Sequence, residues 1–286
     1  MVTTHDSQPT DIPAHGTFAS GRPAWLDRMD KVRNVVRQEM ISRQLDRHLP
    51  PPQARVLDVG AGQGTQSIRL ARAGHQVLAI EPDPEMRAAF GAALGSERAE
   101  VRQRVTVADG SLGKLSEVTG ADLYDVVLLL GVLMYLPSSE PVIAELAGHV
   151  APGGFLAVAA RTTTSALWRP AARQDWQAAL AALDEHDRAR AQGRDMRYVN
   201  ELGTPARADD FDALTAFAAE AGLHLEAWYG VRIAVDMDEL DPAPPTDPDQ
   251  LAALLDVEER LGATDPYRQL AQLAHLILRK GSSVFS

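Results

Sequence analysis

Between residues 23 and 49, Trp25, Leu26, Met29, Val32, Val35, Val36, Met40, Ile41 and Leu45 recur close to helical spacing, and Pro50-Pro51-Pro52 stops the pattern. From Arg55 onward, short apolar runs alternate with helical stretches, the βαβ rhythm of a parallel sheet. Strands are predicted over 55–59, 76–80, 102–107, 125–130 and 155–160, with helices over 63–73, 84–94 and 140–149. The fourth run is the most apolar, which predicts a central strand. After the fifth run the rhythm breaks. Residues 162–197 keep a helical pattern with Trp168, Trp176, Leu180 and Leu183, but the stretch is longer and more charged than a crossover needs. An insertion over the strand ends is therefore predicted. A helix over 209–221, a strand over 223–235, a proline-rich loop over 236–249, a helix over 250–261 and a strand over 275–280 complete the chain.

This pattern predicts one α/β domain over 50–286, with a seven-stranded, mostly parallel sheet closed by an antiparallel hairpin. An N-terminal helical cover over 23–49 and a helical insertion over 162–205 flank it, and residues 1–22 are expected to form a disordered tail.

The chemistry concentrates where the first strand meets its helix. Asp58-Val59-Gly60-Ala61-Gly62-Gln63-Gly64 places three glycines in a strand-to-helix turn, which lets a ligand approach bare backbone beside the free amides of a helix N-terminus. Glu81 ends the next predicted strand, where an acid can accept both ribose hydroxyls of an adenosine-bearing cofactor. The glycines are spaced two and two, whereas a pyrophosphate turn is spaced two and three. Asp58 would also repel a pyrophosphate, but it suits the ammonium or sulfonium side of S-adenosylmethionine (SAM).

Composition narrows the options further. The chain has no cysteine, which excludes disulfides, thiolate metal sites and a cysteine nucleophile. A formal charge of -11 argues against broad phosphate binding. It leaves room for a local basic patch, because Arg22, Arg28, Lys31, Arg33, Arg37, Arg43 and Arg47 all precede the glycine turn. No apolar run reaches the roughly 18 residues of a membrane span, so no membrane partner is expected. The polar first 20 residues lack the order of a signal peptide, and a cytoplasmic protein is expected. Histidines and acids show no metal-ligand spacing, so no metal site is expected. His149, His224, His275, Tyr135 and Tyr198 are the titratable candidates for a general base, and none sits in a motif that gives it that role. Met196, Tyr198 and Trp168 could line an acceptor pocket or simply pack in the core. Asp184, Glu185 and Asp187 with Arg188 and Arg190 read as a solvated, mixed-charge helix face. Oligomeric state is not legible.

The Asp58 to Gly64 segment resembles motif I of the class I SAM-dependent methyltransferases. Asp109-Gly110 resembles that family's adenine-contacting segment. Tyr124 to Val127 with Leu130-Gly131-Val132-Leu133 resembles its fourth strand and exit loop, and Ala151-Pro152-Gly153-Gly154 its turn before strand five. The resemblance implies a Rossmann-like class I methyltransferase fold with SAM as cofactor. It implies cofactor contacts from Arg37, Asp58, Gly60, Ala61, Gly62, Gly64, Glu81, Pro82, Asp109, Gly110, Leu130 and Gly131. More distantly, Arg37-Gln38 with Leu45-Asp46-Arg47, the Tyr229 to Arg232 stretch, and Asp265-Pro266-Tyr267 through His275 to Lys280 resemble the bacterial tRNA 5-carboxymethoxyuridine methyltransferases. In those enzymes an arginine matching Arg37 reaches the cofactor carboxylate. Leu130, Gln272 and Leu273 depart from that narrower pattern. Together with the acidic balance they favour a small-molecule acceptor, for instance in specialised metabolism, with carboxyl methylation of a tRNA wobble uridine second and a non-catalytic SAM-binding protein third.

Overall fold

The computed structural model describes residues 21, 23–25, 27–237 and 240–282. Of the tail expected over 1–22, residues 1–20 and Arg22 lie outside the described residues, as does Leu26. The N-terminal cover is not the single continuous helix its periodicity predicts: residues 23–25 are helical, and helix α1 spans Val32–Asp46. A turn over 27–30 precedes it, with Asp27 N donating to Pro23 O at 3.1 Å and the Asn34 side chain donating to Met29 O at 3.0 Å. Val36, Met40, Ile41 and Leu45 of α1 are at most 1% exposed, and burying side chains of this size stabilises by roughly 1.5–3 kcal/mol each.

Next come β1 (Arg55–Val59), α2 (Thr65–Arg72), β2 (Gln76–Ile80), α3 (Pro84–Gly95), β3 (Val105–Ala108), β4 (Tyr124–Leu130), α4 (Glu140–His149) and β5 (Val150–Ala160). β3 starts later than the predicted 102, because Ala99–Arg102 closes a helical turn. The stretch at Ala151 to Gly154 is not a free turn but belongs to β5. The pairing skips from Tyr124↔Val150 to Val126↔Phe155, so these residues bulge out of the ladder.

The insertion comprises α5 (Thr163–Ala172), α6 (Trp176–Ala191) and an antiparallel hairpin of β6 (Met196–Val199) with β7 (Pro205–Ala208). A wholly helical insertion is thus corrected to two helices and a hairpin. α7 (Phe211–Glu220), β8 (Leu223–Val231), α8 (Pro248–Gly262) and β9 (Leu273–Lys280) complete the fold. β8 stops short of the predicted 235 because Arg232 turns into the left-handed region at φ 64.

The sheet order is β3-β2-β1-β4-β5-β9-β8. Strands β1 to β5 run parallel, and β9 lies antiparallel to both β5 and β8. β4 is central, as its apolar run predicts. Its residues alternate between two cores: Val126 and Leu128 pack under α1, α2 and α8, while Val127 and Leu129 pack against α4 and α7. The result is the Rossmann-like α/β sandwich expected, with the strand order reversing between β1 and β4.

Candidate active site

At the end of β1 the chain turns through Gly60, Gly62 and Gly64, with φ of 72, 59 and 83°, a region that penalises any side chain. The three glycines serve different ends. A Cβ on Gly60 would lie 2.5 Å from Val132 Cγ2, and one on Gly64 would lie 2.2 Å from the Phe90 ring. These two allow close packing. A Cβ on Gly62 would meet only the end of Met86, at 3.5 Å, so its bare backbone faces open space. The turn is tied to β2: Gly60 N and Ala61 N donate to Ile80 O at 2.8 and 3.1 Å. Gly62 N donates to Glu81 Oε2 at 2.7 Å, and Asp83 N to Glu81 Oε1 at 2.9 Å.

A cavity of about 770 Å³ opens over the carboxyl ends of these strands, where open α/β sheets bind ligands at the reversal of strand order. Arg37, Asp58, Gly60, Ala61, Gly62, Glu81, Pro82, Gly110, Leu130 and Gly131 all line it. Two expected residues do not. Gly64 is spent on packing against Phe90. Asp109 turns away: its carboxylate accepts from both Nη atoms of Arg87, at 3.1 and 3.2 Å, and its side chain is 72% exposed. Gly110, Ser111 and Leu112 form the wall there instead.

Asp58 is buried and accepts from the Ser67 hydroxyl at 2.6 Å. Burial pushes its carboxyl up to about 6 despite that bond, and the Glu81 charge adds to the rise. Burial also raises Glu81, partly offset by the amides of Asp83 and Gly62. Across the cavity, Arg37 reaches from α1 to donate through Nη2 to Leu130 O at 3.1 Å, and its guanidinium stands 4.9 Å from the Trp25 ring. Its Nη1 is buried without a partner. Burial lowers Arg37 to about 10, so it stays charged at neutral pH. Gly131 makes room for it, since a Cβ there would lie 2.8 Å from Arg37 Nη2.

The other half of the cavity is walled by Met134, Tyr135 and Leu136 after β4, Arg161 after β5, and Tyr198 to Leu202 from the hairpin. Beneath it lies a charge network. Arg232 donates to both Glu201 oxygens at 2.8 and 3.1 Å and to Asp236 at 2.7 and 2.8 Å. Arg33 and Arg173 reach Asp236 at 3.1 and 3.0 Å. Burial alone would raise Glu201, but Arg232 holds it well below the usual carboxylate range. Asp236, expected to open a proline-rich loop, is fully buried.

The candidate bases separate clearly. Among the described residues no histidine lines the cavity. His149 sits at the far end of α4 near Asp122 O, and His224 is exposed on β8. His275 is buried against Gln44 Oε1 at 2.8 Å, and burial lowers it to about 3. Tyr135, which accepts from Asn200 at 3.1 Å, is raised by burial, and Tyr198 is pushed up to about 12 by the same cause. Both are phenols, not phenolates, at neutral pH. Met196 packs in a small core with Ala166, Ala189 and Ala208, and Trp168 donates to Leu270 O. Neither lines the cavity. Glu185 is not part of a solvated face, because it is 8% exposed and accepts from Arg194 and from Arg197 N.

Sequence reasoning did not single out Arg161, Asn200 or Glu201. Arg161 had a signal, since it directly follows the carboxyl end of a predicted strand. The hairpin residues had none, because their strands are short and interrupted by charge.

A family model for a methyltransferase domain matches residues 57–156. The chain is 30% identical over 198 residues to a ubiquinone biosynthesis O-methyltransferase of Xanthomonas axonopodis pv. citri, covering 69% of this chain and 72% of that protein. This chain is a class I SAM-dependent methyltransferase. It is also 24% identical over 253 residues to a tRNA 5-carboxymethoxyuridine methyltransferase of Escherichia coli O157:H7, covering 87% and 89% of the two chains. Its fold is similar to magnesium protoporphyrin IX methyltransferase from Synechocystis PCC 6803 with bound SAH, with a TM-score of 0.58 at 14% identity over 92% and 95% of the chains.

The methyltransferase's cofactor is SAM, and the cavity fits it: the orphaned Arg37 Nη1 can take a carboxylate, and Glu81 faces the cavity beside the bare Gly62 backbone. Bound SAM supplies an electrophilic methyl on a sulfonium, so the protein has to align an acceptor and exclude water. α1, the turn over 27–30 and the hairpin close over the cavity, with Arg28 bonded to Glu201 O.

Proposed function

We propose that this methyltransferase transfers the methyl group to an oxygen of a small-molecule acceptor held between the hairpin and the ends of β4 and β5. In this reading Glu81 accepts the ribose hydroxyls, Gly110 to Leu112 flank the adenine, Gly62 passes under the cofactor and Arg37 binds its carboxylate. The acceptor lies among Met134, Tyr135, Tyr198 and Asn200.

The observation that carries the small-molecule reading is the fate of the arginines. Recognition of a nucleic-acid backbone needs cations free to meet phosphates. The Arg33 guanidinium is bonded to Asp236 and to the Leu240 carbonyl, and Arg43 and Arg47 are both paired with Glu259 on the far side of α1. The -11 formal charge points the same way. An oxygen acceptor is supported by the name of the Xanthomonas relative. The relatives' names concern ubiquinone biosynthesis and tRNA and lend nothing to a place in specialised metabolism.

Carboxyl methylation of a tRNA wobble uridine is the second reading. It is supported by the Escherichia coli relative, which aligns over more of the chain than the Xanthomonas one. The two separate in one experiment: the protein is incubated with methyl-labelled SAM and either a small-molecule extract or total tRNA from cells lacking it. Label in the small-molecule fraction alone is expected, and label in tRNA alone would reverse the order of the two readings.

A further inference from the structure

Arg161 lines the cavity but has no part in the cofactor reading, and its side chain is not engaged by an acid as Arg232 and Arg33 are. It is the first residue after β5, and its carbonyl accepts from Asp209 N at 2.8 Å, which fixes its backbone at the strand end. Its guanidinium stands 4.9 Å from the Tyr198 ring. Its Nε is buried with no hydrogen-bond partner, and among the described residues no carboxylate comes within 4.0 Å of its side chain.

Its neighbours differ in this respect. Arg232 is saturated by Glu201 and Asp236, the Arg33 guanidinium by Asp236 and the carbonyls of Val235 and Leu240, and Arg28 bonds the Glu201 carbonyl. Arg37 stands on the cofactor side, against Leu130 O. Glu201 feels the Arg161 charge but gives both oxygens to Arg232, so it cannot also bond Arg161 without breaking that fork. A guanidinium with a desolvated, unpaired nitrogen is costly unless something supplies the missing acceptor. It faces a cavity whose remaining wall at this end is Met134, Leu136 and Tyr198, which brings no negative charge of its own.

The absence of a base argues in the same direction. No histidine lines the cavity among the described residues, and both tyrosines keep their protons. An acceptor whose accepting oxygen belongs to a carboxylate needs no such base, because it has no proton to lose.

We infer that Arg161 anchors a carboxylate of the acceptor and makes the enzyme selective for small acidic molecules over their uncharged analogues. This rests on the small-molecule reading above and narrows it to a substrate class. Arg161 is then a specificity-determining residue that touches the acceptor. The planar fork of the guanidinium matches a carboxylate in two bonds, and Tyr198 holds the fork by its ring face.

The test is calorimetry on the full chain saturated with S-adenosylhomocysteine. The probes are the hydroxybenzoate isomers and the matching hydroxybenzamides, which share shape but not charge. The wild type is expected to bind at least one hydroxybenzoate about tenfold or more tighter than its amide. Arg161→Gln should abolish that preference and Arg161→Lys should keep part of it, while both variants bind S-adenosylhomocysteine within about twofold of wild type. Equal binding of acids and amides by the wild type, no binding of either at millimolar concentration, or an undiminished preference in Arg161→Gln would overturn the inference. A competition arm keeps it distinct from the reading beneath it: if total tRNA displaces the bound hydroxybenzoate, Arg161 keeps its carboxylate but the small-molecule acceptor fails.

Discussion

Glu81→Ala is the substitution whose consequence the geometry defines best. Glu81 is 6% exposed and accepts two backbone amides, Gly62 N at 2.7 Å and Asp83 N at 2.9 Å, at the point where the cavity floor meets β2. Each oxygen keeps a further lone pair for a ribose hydroxyl. A hydrogen bond to a charged group is worth about 1.5–3 kcal/mol, so losing the ribose interaction weakens SAM binding by about 10- to 150-fold. Glu81→Gln keeps the shape and one good acceptor, and a smaller loss is expected. The assay is isothermal titration of S-adenosylhomocysteine into each variant, with circular dichroism to confirm that the fold is retained. Burial raises the Glu81 carboxyl, so wild-type affinity should already decline at a pH above the ordinary glutamate value of 4.5, as the acceptor becomes protonated. Unchanged affinity in a folded Glu81→Ala protein would refute the assignment of Glu81 to the ribose.

Gly62→Val combines a forbidden φ of 59° with a side chain projected into the cavity, and should abolish SAM binding; micromolar affinity retained in calorimetry would sink the role of the turn. Arg37→Gln should weaken SAM about tenfold or more while leaving decarboxylated SAM nearly unaffected, and an equal loss for both ligands would show that Arg37 does not read the carboxylate. Asp58→Asn addresses pH. The Asp58 carboxyl is raised from 3.8 to about 6 in the fold, so its ionised form is disfavoured there and wild-type stability gains as pH falls from about 6 towards 3.8, by about 3 kcal/mol. The variant should therefore melt higher than wild type at pH 8 and lose that advantage near pH 4. A melting difference independent of pH would contradict the buried-carboxylate account.

The parallel sheet was legible because its strands are largely apolar runs bounded by strong punctuation. β1 and β2 begin and end where the pattern puts them, closed by Gly60 and Glu81. The glycine turn was legible for the same reason, since only a left-handed backbone explains three glycines at that spacing. Errors fell where tertiary contacts override local pattern. Arg207 sits in a strand yet is only 2% exposed, because Asp209 and Ser139 bond it, so β7 looked polar and the hairpin was missed. Asp109, expected from its motif to contact the cofactor, lies outside the cavity lining, with its carboxylate bonded by Arg87 one turn into α3. The network beneath the proposed acceptor side joins Arg232 to Glu201 and Arg33 to Asp236 across the insertion and the 232–247 segment. No periodicity connects those positions, so this half of the cavity stayed hidden while the half at the glycine turn could be read.

The most direct measurement is the crystal structure of the full chain grown with S-adenosylhomocysteine. The account predicts its ribose hydroxyls on Glu81, its adenine against Gly110 to Leu112, its carboxylate on Arg37 Nη1, and its sulfur turned towards Tyr135 and Tyr198. Density for the ligand outside this cavity, or inside it with its carboxylate turned away from Arg37, would contradict it.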